Sequence, residues 1–466
     1  MVIASGACRS GRKNRPVTAA PPQIQRHRPR LRSRYDREIV RLAVPAFGAL
    51  IVEPLYLLSD TAVVGHLGTP QLGGLAVANT VLLGLYTLFI FLAYGTTAAV
   101  SRLIGAGDEP AAAHQAVQSM WLAVLLGIAL TGIGFLIAAP VVDVLGATGE
   151  VRANALVYLR ISLIGVPAMM VVLAGTGYLR GLQDTRTPLV LAGGTAGLNL
   201  ALELVLIYGF DQGIGASALA TVVAQTTAAA IYIRILGRAA LSQGAGLRPQ
   251  PGSLRSVARV GADLLVRTAA LRAALTAATA VAARIGTADL AAHQVAFEVW
   301  TFLAFALDAV AIAGQAIVGR ALGAGDGDQA RGAGWRMIEW GVVLGVVYGG
   351  LLLAGHQVLP HLFSDDAEVV RLAAFLLICA AVLQPANGVA FVLDGVLIGA
   401  GDQRFLAWAM GGAAVVFIAA AGTVLALGLG IGWLWASLGL LMVTRAGTLM
   451  VRFLGGRWIV LGATRN

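Results

Sequence analysis

Apolar runs of spanning length recur along this chain, separated by short stretches holding Gly, Pro or charge. They predict twelve helices, over 42–66, 72–100, 116–139, 152–177, 187–208, 215–236, 257–284, 289–319, 335–356, 368–396, 405–428 and 431–454. A hydrocarbon core is crossed by about 20 apolar residues, so each run can span a bilayer. The pattern predicts an all-α integral membrane protein.

Arginine placement sets the orientation. Loops between even and odd helices carry Arg102; Arg180 and Arg186; Arg234, Arg238, Arg248, Arg255 and Arg259; Arg320, Arg331 and Arg336; and Arg404. The opposite loops carry Arg152, Arg284 and Arg371. Positive charge resists translocation, so the richer side is expected to be cytoplasmic, with both termini on it. The expected home is a cell membrane, the inner membrane of a bacterium.

The chain also matches itself at an offset of 218 residues. Gly68-Thr69 falls on Gly286-Thr287, Arg102 on Arg320, and Gly105-Ala106-Gly107-Asp108 on Gly323-Ala324-Gly325-Asp326. Pro167 meets Pro385, Gly177 meets Gly395, and Asp184 meets Asp402. The repeat is six helices long, and an even repeat keeps its orientation in the membrane. Two six-helix bundles related by a pseudo-two-fold axis along the membrane normal are therefore expected. The expected divisions are a basic tail over 1–41, an N-lobe over 42–236, a cytoplasmic linker over 237–256, a C-lobe over 257–456 and a C-terminal tail over 457–466. The cavity between the lobes is the expected substrate path.

Composition narrows the function. Of the 466 residues, 58% are hydrophobic and 12% charged, against roughly 25% charged in soluble domains. A soluble enzyme, a nucleic-acid binder and a disordered protein are excluded as the main reading. The net charge of +10 lies almost wholly in residues 1–41, so no folded basic stripe is expected for nucleic acid. That Arg-rich tail has no apolar signal segment; it reads as a disordered cytoplasmic extension, with an organellar transit peptide as the alternative. Cys8 and Cys379 give no disulfide framework. His356, His361, Asp365, Asp366 and Glu368 form a polar outer loop whose spacing fits no zinc pattern, so no metal site is expected. Phe297, Trp300, Phe302 and Phe305 read as packing or as a cavity lining.

Ionisable side chains inside a bilayer are costly and are functional candidates by default. Helix 1 carries Glu53 and Asp60, two turns apart on one face, with Tyr56 one turn before Asp60 and Pro54 expected to bend the helix. Helix 5 carries Asn199 and Glu203 on one face, and helix 6 offers Thr221. An apolar site favours the protonated carboxyl, which can exchange its proton for a cation. The repeat places Ala278 and Ala421 where the first half has Asp60 and Glu203. The second half has Glu298 and Asp308 on helix 8 and Asp394 on helix 10 instead. Arg160, Arg267 and Arg272 could neutralise such acids in structural salt bridges.

These residues resemble a known family. Asp60-Thr61-Ala62-Val63-Val64-Gly65-His66-Leu67-Gly68, Ala291-Ala292-His293-Gln294 and the paired Gly-Ala-Gly-Asp loops are similar to multidrug and toxic compound extrusion (MATE) transporters. Glu53-Pro54-Leu55-Tyr56 and Leu393-Asp394-Gly395 resemble the DinF-like branch. The resemblance implies two six-helix lobes, alternating access, and export driven by H+ or Na+ with no cofactor. It implies a cation-coupling site of Asp60, Asn199, Glu203 and Thr221, a position where the family often has Asp in place of Glu203. Glu53, Tyr56, Glu298, Asp308 and Asp394 are accessory candidates for the substrate cavity. Some members use acids on helices 7 and 10; here the helix 7 position is Arg267, which disfavours that version. The expected function is proton-coupled antiport of amphipathic, cationic small molecules by a monomer in the lipid bilayer. Alternatives are sodium coupling and a flippase or exporter of a lipid-linked or anionic metabolite. A membrane-embedded enzyme finds no nucleophile–base pair to support it.

Overall fold

The computed structural model describes residues 35–210 and 212–464. Twelve helices of spanning length follow one another: α1 Asp36–Gly65, α2 Thr69–Gly105, α3 Glu109–Val144, α4 Gly149–Gly181, α5 Arg186–Gly209, α6 Ile214–Ser242, α7 Pro251–Ile285, α8 Thr287–Gly323, α9 Gly327–Gly355, α10 Ala367–Gly399, α11 Gln403–Ala426 and α12 Ile431–Leu454. There is no strand among the described residues. The expectations for residues 1–34, Cys8 included, lie outside the described residues.

Several boundaries differ from the sequence pattern because polar residues extend the helices. α1 begins at Asp36, six residues early, with Asp36 and Glu38 in its first turn, where carboxylates favour the positive end of the helix dipole. The loop between the lobes shrinks to 243–250, since α6 runs to Ser242 and α7 starts at Pro251; proline suits a first helical turn, where its missing N–H costs nothing. The segment after α12 is not a loose tail. Trp458 is fully buried, stacks on Phe453 at 5.2 Å between ring centres, and donates to the Phe453 carbonyl. Gly462 N–H then bonds the Leu322 carbonyl of α8 at 2.9 Å.

The two lobes share one packing plan. In the first, α4 packs on α2, α3 and α6; in the second, α10 packs on α8, α9 and α12, each partner being six helices later. The pairs α1–α5 and α7–α11 also correspond. Gly127 of α3 lies so close to Pro167 of α4 that a Cβ would overlap it, and Gly345 of α9 meets Pro385 of α10 in the same way. Large apolar side chains such as Leu136, Val382 and Trp408 stay exposed on the outside, which suits lipid rather than water as their surroundings.

The lobes meet at the end of the bundle that carries the start of α1 and the segment after α12, here called the termini face. A Cβ on Gly105 would overlap the backbone of Arg320, and a Cβ on Gly323 would overlap the backbone of Arg102. The contact is reciprocal, residue for residue, as a two-fold axis requires. Polar bonds close the same face. Asp36 of α1 takes Arg336 of α9 at 2.6 and 2.9 Å and the Trp340 indole at 3.0 Å. Arg320 donates to Gln183 Oε1 at 2.9 Å, and Gln183 Nε2 donates to Glu38 at 2.9 Å.

Candidate functional site

Four helices bring the N-lobe polar residues together, in the half of the lobe away from the termini. Asp60 lies near the end of α1, Asn199 and Glu203 near the end of α5, and Ser217 and Thr221 one turn apart near the start of α6. Tyr158 reaches in from α4. Beyond Glu203, α5 closes on a π turn, Val205–Gly209, a distortion often found at functional sites.

Asp60 and Glu203 are both fully buried. Ser217 Oγ lies 2.5 Å from Asp60 Oδ1 and is also hydrogen-bonded to Glu203 Oε1. The Tyr158 hydroxyl donates to Asp60 Oδ2 at 3.3 Å. Thr221 is saturated: its hydroxyl donates to the Ser217 carbonyl at 3.2 Å and accepts from Asn199 Nδ2 at 3.1 Å, with Tyr56 OH at 2.7 Å. Two acceptor oxygens lack a donor, Asn199 Oδ1 and Glu203 Oε2. Among the described residues no arginine, lysine or histidine forms an ion pair with either acid.

The accessory candidates are dispersed. Glu53 lies seven residues before Asp60, about 10 Å along the helix axis. It is bonded to Tyr86 and lines, with Arg180 and Tyr232, a separate N-lobe cavity of about 110 Å³. Glu298 is exposed and accepts from Gln294 one turn earlier at 2.9 Å. Asp308 accepts from Tyr94 of the other lobe at 3.3 Å. Asp394 takes the structural option, ion-paired with both Arg267 and Arg445, the latter lying over the Phe391 ring at 5.0 Å. Arg160 and Arg272 are exposed and form no ion pair among the described residues.

At the matching place in the C-lobe, 218 residues after Ser217, stands Trp435. Its indole N–H donates to His293 Nδ1 at 3.2 Å, and His293 Nε2 lies 3.4 Å from Thr279 Oγ1. Phe297 and Trp300 pack against this pair, with ring centres 5.6 to 6.4 Å apart. An aromatic cluster therefore fills the space that holds acids in the N-lobe.

Sequence reasoning missed Ser217, Tyr158, Arg445 and Trp435. Ser217 was open to discovery, because it lies four residues before Thr221 on the same helical face. Nothing local marks Tyr158 or Arg445, whose partners come from distant helices.

A two-lobed bundle of twelve helices of spanning length, with lipid-suited apolar side chains outside, defines a multi-pass membrane protein. The sequence model of the MatE family matches residues 45–205 and 269–435. DNA damage-inducible protein F of Escherichia coli K12 is 32% identical over 379 residues, 78% of this chain and 81% of that protein. Protein DETOXIFICATION 44, chloroplastic, of Arabidopsis thaliana is 30% identical over 428 residues, 88% of this chain and 80% of that protein. Solved structures described as MATE in the bent conformation and as an outward-facing MATE family transporter share the fold, with TM-scores of 0.82 and 0.80 at 22% and 23% identity, over 90% of this chain and 94% of each. The chain belongs to the MATE family of multidrug efflux transporters.

Proposed function

We propose that this protein is a proton-coupled antiporter of amphipathic, cationic organic compounds that works by alternating access. One observation carries the coupling ion: a single serine hydroxyl is hydrogen-bonded to two buried carboxyl groups. A hydroxyl has one hydrogen to donate. It can donate to one carboxylate, and the other must then donate to it, so the pair holds at least one proton. Besides the shared serine, Asp60 Oδ2 accepts from Tyr158, while Glu203 Oε2 has no donor among the described residues. An ionised oxygen without a donor costs more than a neutral one. The proton therefore belongs on Glu203, in the order Glu203–H to Ser217 to Asp60.

The termini face is cytoplasmic in this reading, and the lobes are joined there, so the site is poised to exchange protons with the opposite side. Uptake of a further proton by Asp60 turns one of its two oxygens from acceptor to donor, so that it no longer accepts fully from both Ser217 and Tyr158, and α1 rearranges at Pro54. Coupling requires that this change alter the relative stability of the two states. A cationic cargo is supported by Glu53 and Asp308, each hydrogen-bonded to a tyrosine hydroxyl and in no ion pair among the described residues.

Sodium coupling is the second reading. The donor-free oxygens Asn199 Oδ1 and Glu203 Oε2 favour it, since such oxygens suit a hard cation. Dye export from vesicles decides, with a pH gradient and a sodium gradient applied separately. Transport driven by pH alone and lost in Asp60→Asn supports proton coupling; transport driven only by sodium overturns it.

A further inference from the structure

The repeat places an arginine at the end of α2 and at the end of α8, and the two have different surroundings. Arg102 is buried, and its guanidinium donates to three carbonyl oxygens: Ala400 at 3.0 Å, Val460 at 2.6 Å and Gly462 at 2.9 Å. Two of these come from the docked C-terminal segment. Arg320 stands 218 residues later, is exposed, and donates to Gln183 Oε1. Where Arg102 meets the C-terminal segment, Arg320 faces a recess of about 470 Å³ that Arg41 and Arg186 also line.

The recess gathers three guanidinium groups, and among the described residues no carboxylate lies within ion-pair distance of any of them. Its one acid, Asp184, is already engaged: its oxygens accept the Arg186 and Thr187 backbone N–H groups at 3.0 Å and the Thr187 hydroxyl at 2.5 Å. Gln183 holds a left-handed backbone, φ 63°, at the position where the other lobe has Gly401 at φ 74°. A side chain with a Cβ is kept there despite the steric cost of that conformation, and it ties Arg320 to Glu38 at the rim. Glycine could not do this.

The geometry points to a binding site for a phosphate-type oxyanion, held by Arg41, Arg186 and Arg320. Planar guanidinium forks match phosphate oxygens in shape and charge, and the anion would supply oxygens where the C-terminal carbonyls do so in the other half. Arg41 and Arg186 belong to the N-lobe and Arg320 to the C-lobe, so the anion bridges the lobes. Opening of the termini face must release or rearrange it. The site lies at helix ends, where a lipid phosphate and a free phosphate compound can both reach it. The inference is independent of the coupling ion.

Native mass spectrometry of the full chain in detergent tests it, with added phosphatidylglycerol, with phosphatidylcholine as the lipid of no net charge, and with inorganic phosphate. One phosphatidylglycerol is expected to stay bound, and Arg186→Gln or Arg320→Gln should each weaken it about tenfold, the loss of one charge-assisted contact. Arg41→Gln removes an exposed side chain that forms no ion pair among the described residues and keeps the test valid if the others fold poorly. Arg404→Gln, the repeat equivalent of Arg186, should bind normally. Displacement of the lipid by inorganic phosphate assigns a free phosphate ligand; resistance to displacement assigns the lipid. Phosphatidylglycerol and phosphate binding unchanged in all three variants, or absent from the wild type, overturns the site.

Discussion

Ser217 and Trp435 occupy equivalent places in the two lobes and have opposite roles. The serine joins two carboxyl groups, whereas the tryptophan closes the matching space by packing on His293. One backbone plan thus holds a polar site in the first lobe and an aromatic core in the second. The difference lies in a few side chains: Asp60 against Ala278, Glu203 against Ala421 and Ser217 against Trp435.

Ser217→Ala removes the hydroxyl that is hydrogen-bonded to both acids. Proton-driven transport in vesicles should fall by about tenfold, the worth of one hydrogen bond to a charged group. Ser217→Thr keeps the hydroxyl and should retain most of the rate. Equal losses in both variants would point to packing instead.

Asp394 is the acid partner of two buried arginines. Asp394→Asn takes from Arg267 and Arg445 the carboxylate they share in ion pairs, and removing one partner of a buried ion pair costs about 3–5 kcal/mol. Thermal unfolding in detergent should register a large drop. Asp143→Asn breaks an exposed pair with Arg152 and should change the midpoint little. A drop no larger for Asp394→Asn than for Asp143→Asn contradicts the assignment.

Gly105→Val and Gly323→Val place side chains against the backbones of Arg320 and Arg102. Each should destabilise the lobe contact by about 1–3 kcal/mol, as overpacking does. The contact is reciprocal, so the two variants should behave alike. Cysteine labelling of the termini face measures this as greater access to probes, and a clear difference between the variants would argue against a two-fold contact.

Trp458 anchors the segment that supplies carbonyl oxygens to Arg102. Trp458→Ala should cost about 3–5 kcal/mol, the usual range for a buried tryptophan. Truncation after Gly456 should do at least as much, because Arg102 then loses two carbonyl acceptors. An unchanged unfolding midpoint in the truncated chain would show the segment to be dispensable.

Much of the fold could be read along the chain. Lipid demands long apolar helices, so the twelve spans stand out in the sequence. The offset of 218 pairs Pro167 with Pro385 and Arg102 with Arg320, and the backbones of each pair sit against matching glycines, although the two arginine side chains have different partners. The candidate acids were visible because charge is rare in such helices. Their grouping was less so. Glu53 shares a helical face with Asp60 and yet lines a separate cavity with Arg180, since a shared face says nothing of depth or of the neighbouring helix.

The sequence by itself determined the class of fold, the spans, the repeat and which acids lie in the apolar bundle, because these follow from local hydropathy and spacing. Only the tertiary structure decided which acids meet. Ser217 bridges Asp60 and Glu203, Arg445 joins Arg267 on Asp394, and the C-terminal segment docks on Arg102. The physical reason is that hydrogen bonds and ion pairs act over about 3 Å, between side chains that the chain separates by up to several hundred residues, and helix packing alone brings them within that range.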